Sequence, residues 1–318
     1  MESTIKFSIE QKFLNKRYIL EEDLGRGQNA TVSKGKDTLT GETKAVKIYQ
    51  NKDDFKNETK ILKIITDINS PYLIKCYESG IGLLSHEEES TETMYSILEL
   101  GNKGTLHDLI LRTKNGFSDV VCKFILLIIL NGVEALHKEG IFHGDIKPEN
   151  IVLCGDNYDL KLCDFGFSAK FYDENGRKKK LKKFKGTTFY AAPEILENKK
   201  YDGEKSDIFS IGALLFTLMT KKYMFEKTRK KNVSSSNLYK YIISKQFYKF
   251  WSLIENSMSI KSLNENFKNL FVKLVAYNPD ERPTIEEIKN HDWMQDVTNA
   301  TPKYLNNLRK KMIKETAL

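Results

Sequence analysis

The sequence has few of the residues that build disulfide scaffolds, fibres or disordered coils. Of its 318 residues, 4 are Cys, 6 are Pro and 18 are Gly, whereas 40% are hydrophobic. These proportions exclude a disulfide-stapled miniprotein, a collagen-like chain and a wholly disordered chain. The cysteines form no CxxC pair, so we expect free thiols in a reducing compartment at Cys76, Cys122, Cys154 and Cys163.

Long apolar runs are also missing. The longest, residues 124–130, is far shorter than the roughly 18–20 residues that a membrane-spanning helix needs. The first residues do not resemble a secretory signal. We therefore expect no membrane span, a buried helix around 124–130, and a cytoplasmic location that extends to the nucleus.

The charge balance is moderately basic, with 51 Lys and Arg against 43 Asp and Glu and a net charge of +8. This balance alone suits nucleic acids, membrane surfaces or acidic proteins as partners. Many of the lysines cluster at 177–185 with few interleaved aromatic residues. Because stacking aromatics are the usual companions of such clusters in nucleic-acid binding, we expect no nucleic-acid partner.

Hydrophobic periodicity divides the chain into a β-rich part and a helical part. A small antiparallel sheet, interrupted by a helix at 53–67, is predicted from β-type stretches at 18–24, 31–37 and 43–49. Ser118 is predicted to cap a core helix that runs to Leu136. Further helices are predicted at 206–220, 238–255 and 266–275, and loops at the acidic 86–92 and the basic 177–185.

These elements predict an α+β chain of two lobes. The smaller, β-rich lobe spans 18–100 and contains one main helix, and the larger, mainly helical lobe spans 104–294. An N-terminal extension, 1–17, precedes them and a basic C-terminal tail, 295–318, follows them.

A glycine-rich turn follows the first predicted strand. Its small residues would let backbone N–H groups approach phosphates closely. The residues after it are β-type, so the pattern predicts a hairpin over a nucleotide and not the helix of a dinucleotide site. An ordinary glycine-containing turn is the alternative. The turn comprises Leu24, Gly25, Arg26, Gly27, Gln28, Asn29, Ala30, Thr31 and Val32.

The strand after this hairpin carries a lysine. Ala45 and Lys47 are predicted to share one face, and Val46 and Ile48 the other. A buried ammonium needs an anionic partner, and Glu58 on the predicted helix can supply one. A solvated lysine at a sheet edge is the alternative.

The strongest signal is a set of ordered motifs in the second lobe. His143-Gly144-Asp145-Ile146-Lys147-Pro148-Glu149-Asn150 is followed by Asp164-Phe165-Gly166 and then by Ala192-Pro193-Glu194, Asp207 and Arg282. Together they resemble the catalytic loop, the metal-binding triplet and the structural residues of eukaryotic protein kinases. The resemblance covers about 18–294 and implies a bilobal protein kinase fold.

The resemblance also implies roles for individual residues. Asp145 would accept or orient the proton of a substrate hydroxyl, and Lys147 would contact the γ-phosphate of ATP. Asn150 and Asp164 would bind Mg²⁺. Lys47, paired with Glu58, would hold the α- and β-phosphates.

The resemblance to protein kinases also implies which residues would form the adenine site. Val32, Ala45 and Val152 would enclose the adenine, with Leu98 as gatekeeper. The backbone of Glu99 and Gly101 would hydrogen-bond the purine.

Lys147 and the segment around Thr187 resemble serine/threonine kinases more than tyrosine kinases, with Thr187 bridging toward Asp145 and Lys147. The ending His291-Asp292-Trp293 resembles the calcium/calmodulin-dependent kinase group.

Two departures from the family pattern concern regulation. Gly144 stands where most members have an Arg that binds a phosphate on the activation segment, the stretch between Asp164 and Glu194. At the position that is phosphorylated in regulated members of the family, this sequence has Lys183, which cannot be phosphorylated. We therefore expect activity without this phosphate, with Lys183 making some other contact in its place.

The resemblance implies a monomeric, ATP- and Mg²⁺-dependent serine/threonine kinase that acts on proteins. The basic run 177–185 borders the expected substrate position, which favours acidic or already phosphorylated substrates. A solvated loop or a nuclear-import run is the alternative. A pseudokinase-like scaffold that binds nucleotide without transferring phosphate is the alternative function.

Overall fold

A computed structural model describes residues 12–27, 29–87, 89–182, 186–224, 238–258 and 262–316. The chain divides into two compact units. The first contains the described residues up to Asn69 together with Leu73–Asn102, and the second contains Ser70–Tyr72 together with the described residues from Lys103 onward.

The first unit is a closed antiparallel barrel with one helix beside it. The strand order around the barrel is β1-β2-β3-β4-β6-β5. Its interior is apolar, with Leu14, Tyr18, Val46, Tyr95 and Ile97 buried together. The strands are β1 (Lys12–Leu14), β2 (Tyr18–Arg26), β3 (Ala30–Asp37), β4 (Thr43–Tyr49), β5 (Cys76–His86) and β6 (Glu89–Leu98).

The helix of this unit, α1 (Lys52–Ile68), has clear signals at both ends. The Asn51 side chain accepts hydrogen bonds from the N–H groups of Asp53 and Asp54, and Asn69 ends the helix in the left-handed conformation. The helix predicted at 53–67 is confirmed.

Two segments of this unit differ from the expectations. Residues 12–14 were expected in an extension, but β1 pairs with both β2 and β5 and thereby closes the barrel. The loop predicted at 86–92 is wrong, because the β5–β6 ladder continues to the pair His86 and Glu89. Glu89 and Glu92 lie on the exposed end of β6, where charge is easily solvated.

The second unit is mainly helical and is built around two long helices, α3 and α5. Its helices are α2 (Leu106–Arg112), α3 (Asp119–Lys138), α4 (Pro193–Leu196), α5 (Gly203–Thr220), α6 (Tyr239–Ile243), α7 (Phe247–Met258), α8 (Glu265–Leu274), α9 (Ile285–Lys289), α10 (Gln295–Thr298) and α11 (Pro302–Thr316). Short strands complete it, and these are β7 (Ile141–Phe142), β8 (Ile151–Cys154), β9 (Asp159–Leu162) and β10 (Ala169–Lys170).

The predicted helix at 238–255 is wrong as a single element. It is divided into α6 and α7, and Lys245 between them has a φ of 55°. A left-handed residue cannot continue an α-helix, so the chain changes direction there. The helices predicted at 206–220 and 266–275 correspond to α5 and α8.

Ser118 occupies the N-cap position of α3 but does not cap it through its side chain. Its hydroxyl and its N–H group instead donate to the carboxylate of Glu315 on α11. The segment expected to be a tail therefore forms a helix that packs on α3, with Leu308 and Met312 buried.

Helix α3 is long and apolar enough, by length and composition, to cross a membrane. The predicted buried run, 124–130, lies within this helix, and 61% of its most apolar 18-residue stretch is buried inside the protein. A core helix of a water-soluble domain meets the same criterion. The four cysteines are free thiols, as predicted.

Candidate active site

The polar centre of the second unit is the Asp145 carboxylate, which lies on the loop after β7 and is 4% exposed. One oxygen, Oδ1, accepts a hydrogen bond of 2.7 Å from the N–H group of Thr187. The other, Oδ2, lies 2.7 Å from Lys147 Nζ and 3.0 Å from Asn150 Nδ2. The carboxylate is thus held by donors from two segments, which fixes its orientation.

Lys147 connects the same two segments. Its ammonium donates to the Thr187 hydroxyl at 2.8 Å as well as contacting Asp145. A cation beside the Asp145 carboxylate can also attract an anionic group. The structure therefore brings together Asp145, Lys147, Asn150 and Thr187, which the sequence places as much as 42 residues apart.

The backbone that presents Asp145 is held from α5. The Asp207 carboxylate accepts hydrogen bonds from the N–H groups of His143 at 2.8 Å and Gly144 at 3.0 Å, and it contacts His137 Nε2 at 2.9 Å. His143 is fully buried, and its ring lies 5.3 Å from that of Phe165. His143 therefore packs in the interior, as the resemblance implies. The sequence did not predict the contact of His137 with Asp207, because a single His on an apolar helix gives no signal of its partner.

Asn150 and Asp164 are the candidate ligands for Mg²⁺. Both amide hydrogens of Asn150 are used, by the backbone oxygen of Asp145 at 2.8 Å and by Asp145 Oδ2. This orients the amide, so that its oxygen is the atom left to meet a cation. Oxygen donors of this kind suit Mg²⁺, so the residues fit the ion.

Asp164 is brought close to Asn150 by the backbone. The N–H group of Cys163 donates to the Asn150 carbonyl at 2.9 Å, and β8 pairs with β9 between these residues. Asp164 itself has a φ of 61°, unusual for a residue other than glycine. In the described part of the chain no three His, Cys, Asp or Glu side chains cluster as metal ligands. Two donors suit an ion that also binds phosphate and water.

In the first unit, Lys47 on β4 pairs with Glu58 on α1. Lys47 Nζ lies 2.8 Å from Glu58 Oε1, and both residues are buried. Val46 faces the apolar interior of the barrel, so Lys47 lies on the opposite face of the strand. Burial raises the pKa of the nearby Tyr49 phenol, and the charge of Glu58 adds to this effect. The ammonium of Lys47 is thus the cation of a buried polar site.

The glycine-rich segment is a β-hairpin, as predicted. Gly25 pairs with Val32, Arg26 pairs with Thr31, and the N–H group of Gly27 donates to the Ala30 carbonyl at 2.9 Å. Leu24 is about half exposed. Asn29 accepts from the N–H group of Gln50. Gln28 lies outside the described residues.

The candidate adenine residues lie partly in each unit. In the first, Ala45 and Leu98 are paired across β4 and β6 and are buried. The N–H group of Glu99 donates to the Lys75 carbonyl at 2.9 Å. Gly101 follows in the same unit, whereas Val152 lies on β8 of the second unit.

A buried ion pair supports the second unit. Arg282 and Glu194 form two hydrogen bonds of 2.7 Å each. The remaining guanidinium donors bind the carbonyl oxygens of Ala276, Lys205 and Tyr277. The pair is therefore fully satisfied, which is the condition for burying two charges.

Comparisons with known proteins agree with these motifs. The family model described as a protein kinase domain matches residues 18–294. The SNF-related serine/threonine-protein kinase of Homo sapiens is 30% identical over 288 residues, which are 88% of this chain and 34% of that protein.

Two other relatives have similar identity. NUAK family SNF1-like kinase 1 of Mus musculus is 30% identical over 287 residues, 88% of this chain and 39% of the relative. CBL-interacting serine/threonine-protein kinase 17 of Arabidopsis thaliana is 31% identical over 289 residues, 88% of this chain and 60% of the relative. The chain thus spans between 34% and 60% of the length of these relatives.

Proposed function

The chain belongs to the protein kinase family, and from this premise we propose that it transfers the γ-phosphate of ATP to serine and threonine side chains of proteins. Relatives named as serine/threonine kinases support this specificity, and so does the bond between Lys147 and Thr187. The α+β class and the two-part organisation predicted from the sequence are those of the family.

The observation that carries the proposal is the oriented Asp145 carboxylate. In the reaction, the substrate hydroxyl oxygen bonds to the γ-phosphorus, the bond from that phosphorus to the β–γ bridging oxygen breaks, and ADP leaves. Asp145 orients the hydroxyl and receives its proton. Lys147 places positive charge where the transferring phosphoryl group gathers negative charge.

The other residues bind and orient the nucleotide. Asn150 and Asp164 hold Mg²⁺, which when bound neutralises charge on the phosphate oxygens. Lys47, fixed by Glu58, binds the α- and β-phosphates. The hairpin from Leu24 to Val32 covers the phosphates, while Ala45, Leu98 and Val152 enclose the adenine, and the backbone of Glu99 and Gly101 bonds it.

The test is transfer of labelled γ-phosphate from Mg-ATP to a mixed protein substrate. Asp145→Asn and Asp164→Ala should abolish transfer. Asp156→Asn is the matched control, because the Asp156 side chain is fully exposed on the turn between β8 and β9, where it pairs with Lys103. Phosphoserine and phosphothreonine should appear, and phosphotyrosine should not.

A nucleotide-binding scaffold of the same fold is the alternative function. ATP binding by the wild type, with no transfer above that of the two variants, would favour the scaffold. Retention of full transfer by Asp145→Asn would contradict the assigned role of this carboxylate.

The proposed substrates are acidic or previously phosphorylated proteins. Arg177, Lys179, Lys180 and Lys182 are exposed on the activation segment. The hydroxyl of Thr217, on α5, donates to the carbonyl oxygens of Ala213 and Lys222 and adds no negative charge to attract a basic peptide. A peptide library should select Asp, Glu or phosphoserine near the acceptor. Selection of Arg upstream of it would contradict this preference.

A further inference from the structure

The activation segment is attached to the second unit at several points before Lys182. Its strand β10 pairs with β7, and the N–H group of Lys179 donates to the Phe171 carbonyl at 2.9 Å. Leu181 and Tyr201 exchange two backbone hydrogen bonds of 2.8 Å. The described part of the segment therefore has a defined path without any added phosphate.

One side chain of the basic run, that of Lys178, makes two ion pairs. Lys178 Nζ lies 2.9 Å from Asp202 Oδ2 and also bonds Glu204 Oε2. It lies 5.6 Å from the ring centre of Phe171 as well. Burial lowers the pKa of the Lys178 ammonium, but its bonds to Glu204 and Asp202 outweigh burial and raise the pKa overall. Lys178 is thus a fixed cation between two carboxylates.

The two carboxylates lie at the start of α5. Asp202 is the N-cap residue of this helix, and Glu204 lies in its first turn. The same helix carries Asp207, which holds the N–H groups of His143 and Gly144 next to Asp145. The ion cluster therefore connects the activation segment to the helix that positions the catalytic loop.

Gly144 cannot provide the usual link between that loop and a phosphorylated segment. Its φ is 82°, and a Cβ atom there would lie 2.7 Å from the Phe167 carbonyl oxygen and 2.9 Å from Phe142 Cε2. A side chain at this position would need the surrounding backbone to move. The segment must therefore be held by some other group.

We propose that Lys178 is a positioning residue whose ion pairs with Asp202 and Glu204 hold the activation segment in its active path without phosphorylation. This inference rests on the proposed kinase function. The expectation that Lys183 makes a contact of this kind stays untested, because Lys183 lies outside the described residues. The segment continues to Thr187, whose N–H group binds Asp145, so its path affects the orientation of the catalytic carboxylate.

The decisive experiment compares phosphatase-treated wild type with Lys178→Ala and Lys178→Arg, using a neutral peptide so that substrate charge does not intervene. The wild type should keep its activity after phosphatase treatment. Lys178→Ala should lower kcat by between about tenfold and a hundredfold, the range that misplacement of reacting groups produces, with the KM for ATP unchanged. Lys178→Arg should recover most of the lost kcat, because it restores the cation.

Lys170→Ala is the matched control. Lys170 is exposed on the same segment, lies outside the basic run and belongs to no ion pair recorded among the described residues. This variant should keep the kcat of the wild type. An equal loss in Lys170→Ala, a normal kcat in Lys178→Ala, or a collapse of wild-type activity on phosphatase treatment would each overturn the proposal.

A second readout does not depend on catalysis. Hydrogen exchange at the N–H groups of Lys179 and Leu181 should become faster in Lys178→Ala and remain slow in Lys178→Arg and Lys170→Ala. Unchanged exchange in Lys178→Ala would contradict the proposed role of Lys178 in holding the segment, even in an active enzyme. If the wild type transfers no phosphate but exchange is faster in Lys178→Ala, the role of Lys178 in holding the segment is supported and the proposed kinase function is refuted.

Discussion

Gly144 shows how a single residue changes what a catalytic loop can bind. The backbone of Gly144 is left-handed. The N–H groups of His143 and Gly144 both donate to the Asp207 carboxylate, which holds this backbone in place. No Cβ atom fits between the Phe167 carbonyl and the Phe142 ring without a shift. The absence of an Arg here is therefore accompanied by a backbone and packing arrangement that suits glycine.

We predict that Gly144→Ala lowers the free energy of unfolding by about 2–4 kcal/mol, the sum of backbone strain and steric overlap. Activity should fall as well, because the next residue is Asp145. Gly155→Ala is the control, since Gly155 has a φ of 65° but no atom within 4 Å of its Cβ position. It should cost only about 1–2 kcal/mol. Urea denaturation measures both, and equal costs would contradict the steric argument.

A second prediction at the residue scale concerns the buried ion pair of Arg282 and Glu194. Glu194→Gln leaves the buried guanidinium without its countercharge and should cost about 3–5 kcal/mol of unfolding free energy. Lys138→Ala removes a surface ion pair with Glu134 at 3.1 Å and should cost no more than about 1 kcal/mol. Similar midpoints of chemical denaturation for the two variants would refute the difference.

At the scale of elements, α11 completes the second unit. It contributes Leu308 and Met312 to the interior, Arg309 to an ion pair with Asp159 at 3.0 Å, and Glu315 to the start of α3. Glu315 accepts from an N–H group at the N-terminus of a helix, where a negative charge is favoured. The helix therefore stabilises α3 at its end as well as along its side.

Met312→Ala should lower the free energy of unfolding by about 2–5 kcal/mol, because it opens a cavity between α11 and its neighbours. Tyr304→Ala, on the same helix but more than a third exposed, should cost much less. Guanidinium denaturation followed by circular dichroism compares the two. A stability loss as large for Tyr304→Ala would mean that helix propensity, and not packing, governs the contribution of α11.

At the scale of the whole molecule, each unit has its own set of candidate residues. The first contains Lys47 and Glu58, and the second contains Asp145, Asn150 and Asp164. Only two metal-binding side chains are assigned, so most of the ligands for Mg²⁺ must come from the nucleotide and from water. Metal and nucleotide are therefore expected to bind together.

We predict that removal of Mg²⁺ with EDTA abolishes phosphoryl transfer and that added Mg²⁺ restores it. Calorimetric titration of Mg²⁺ into the free protein should give weak binding, whereas titration in the presence of a non-hydrolysable ATP analogue should give much tighter binding. Asn150→Ala should weaken the second titration. Tight binding of Mg²⁺ to the protein without nucleotide would contradict the two-ligand site.

How far the sequence predicts the protein differs between these scales. Motif order identified the family and the candidate catalytic residues, and hydrophobic periodicity predicted most elements, because residue type and local periodicity are properties of the chain itself. This periodicity predicted a single helix at 238–255, which the structure divides at Lys245, since a left-handed residue other than glycine has no reliable sequence signature. The expectation for Lys183 stays untested, because this residue lies outside the described residues, and nothing in a run of like residues indicates that Lys178 has partners on α5.

The sequence by itself determined the kinase motifs and the hairpin after Leu24, because these depend on residue type at short spacing. Only the tertiary structure decided that Lys178 meets Asp202 and Glu204, and that Ser118 binds Glu315. The physical reason is that an ion pair depends on distance in space. Residues 197 positions apart carry no local pattern that relates them until the fold brings them together.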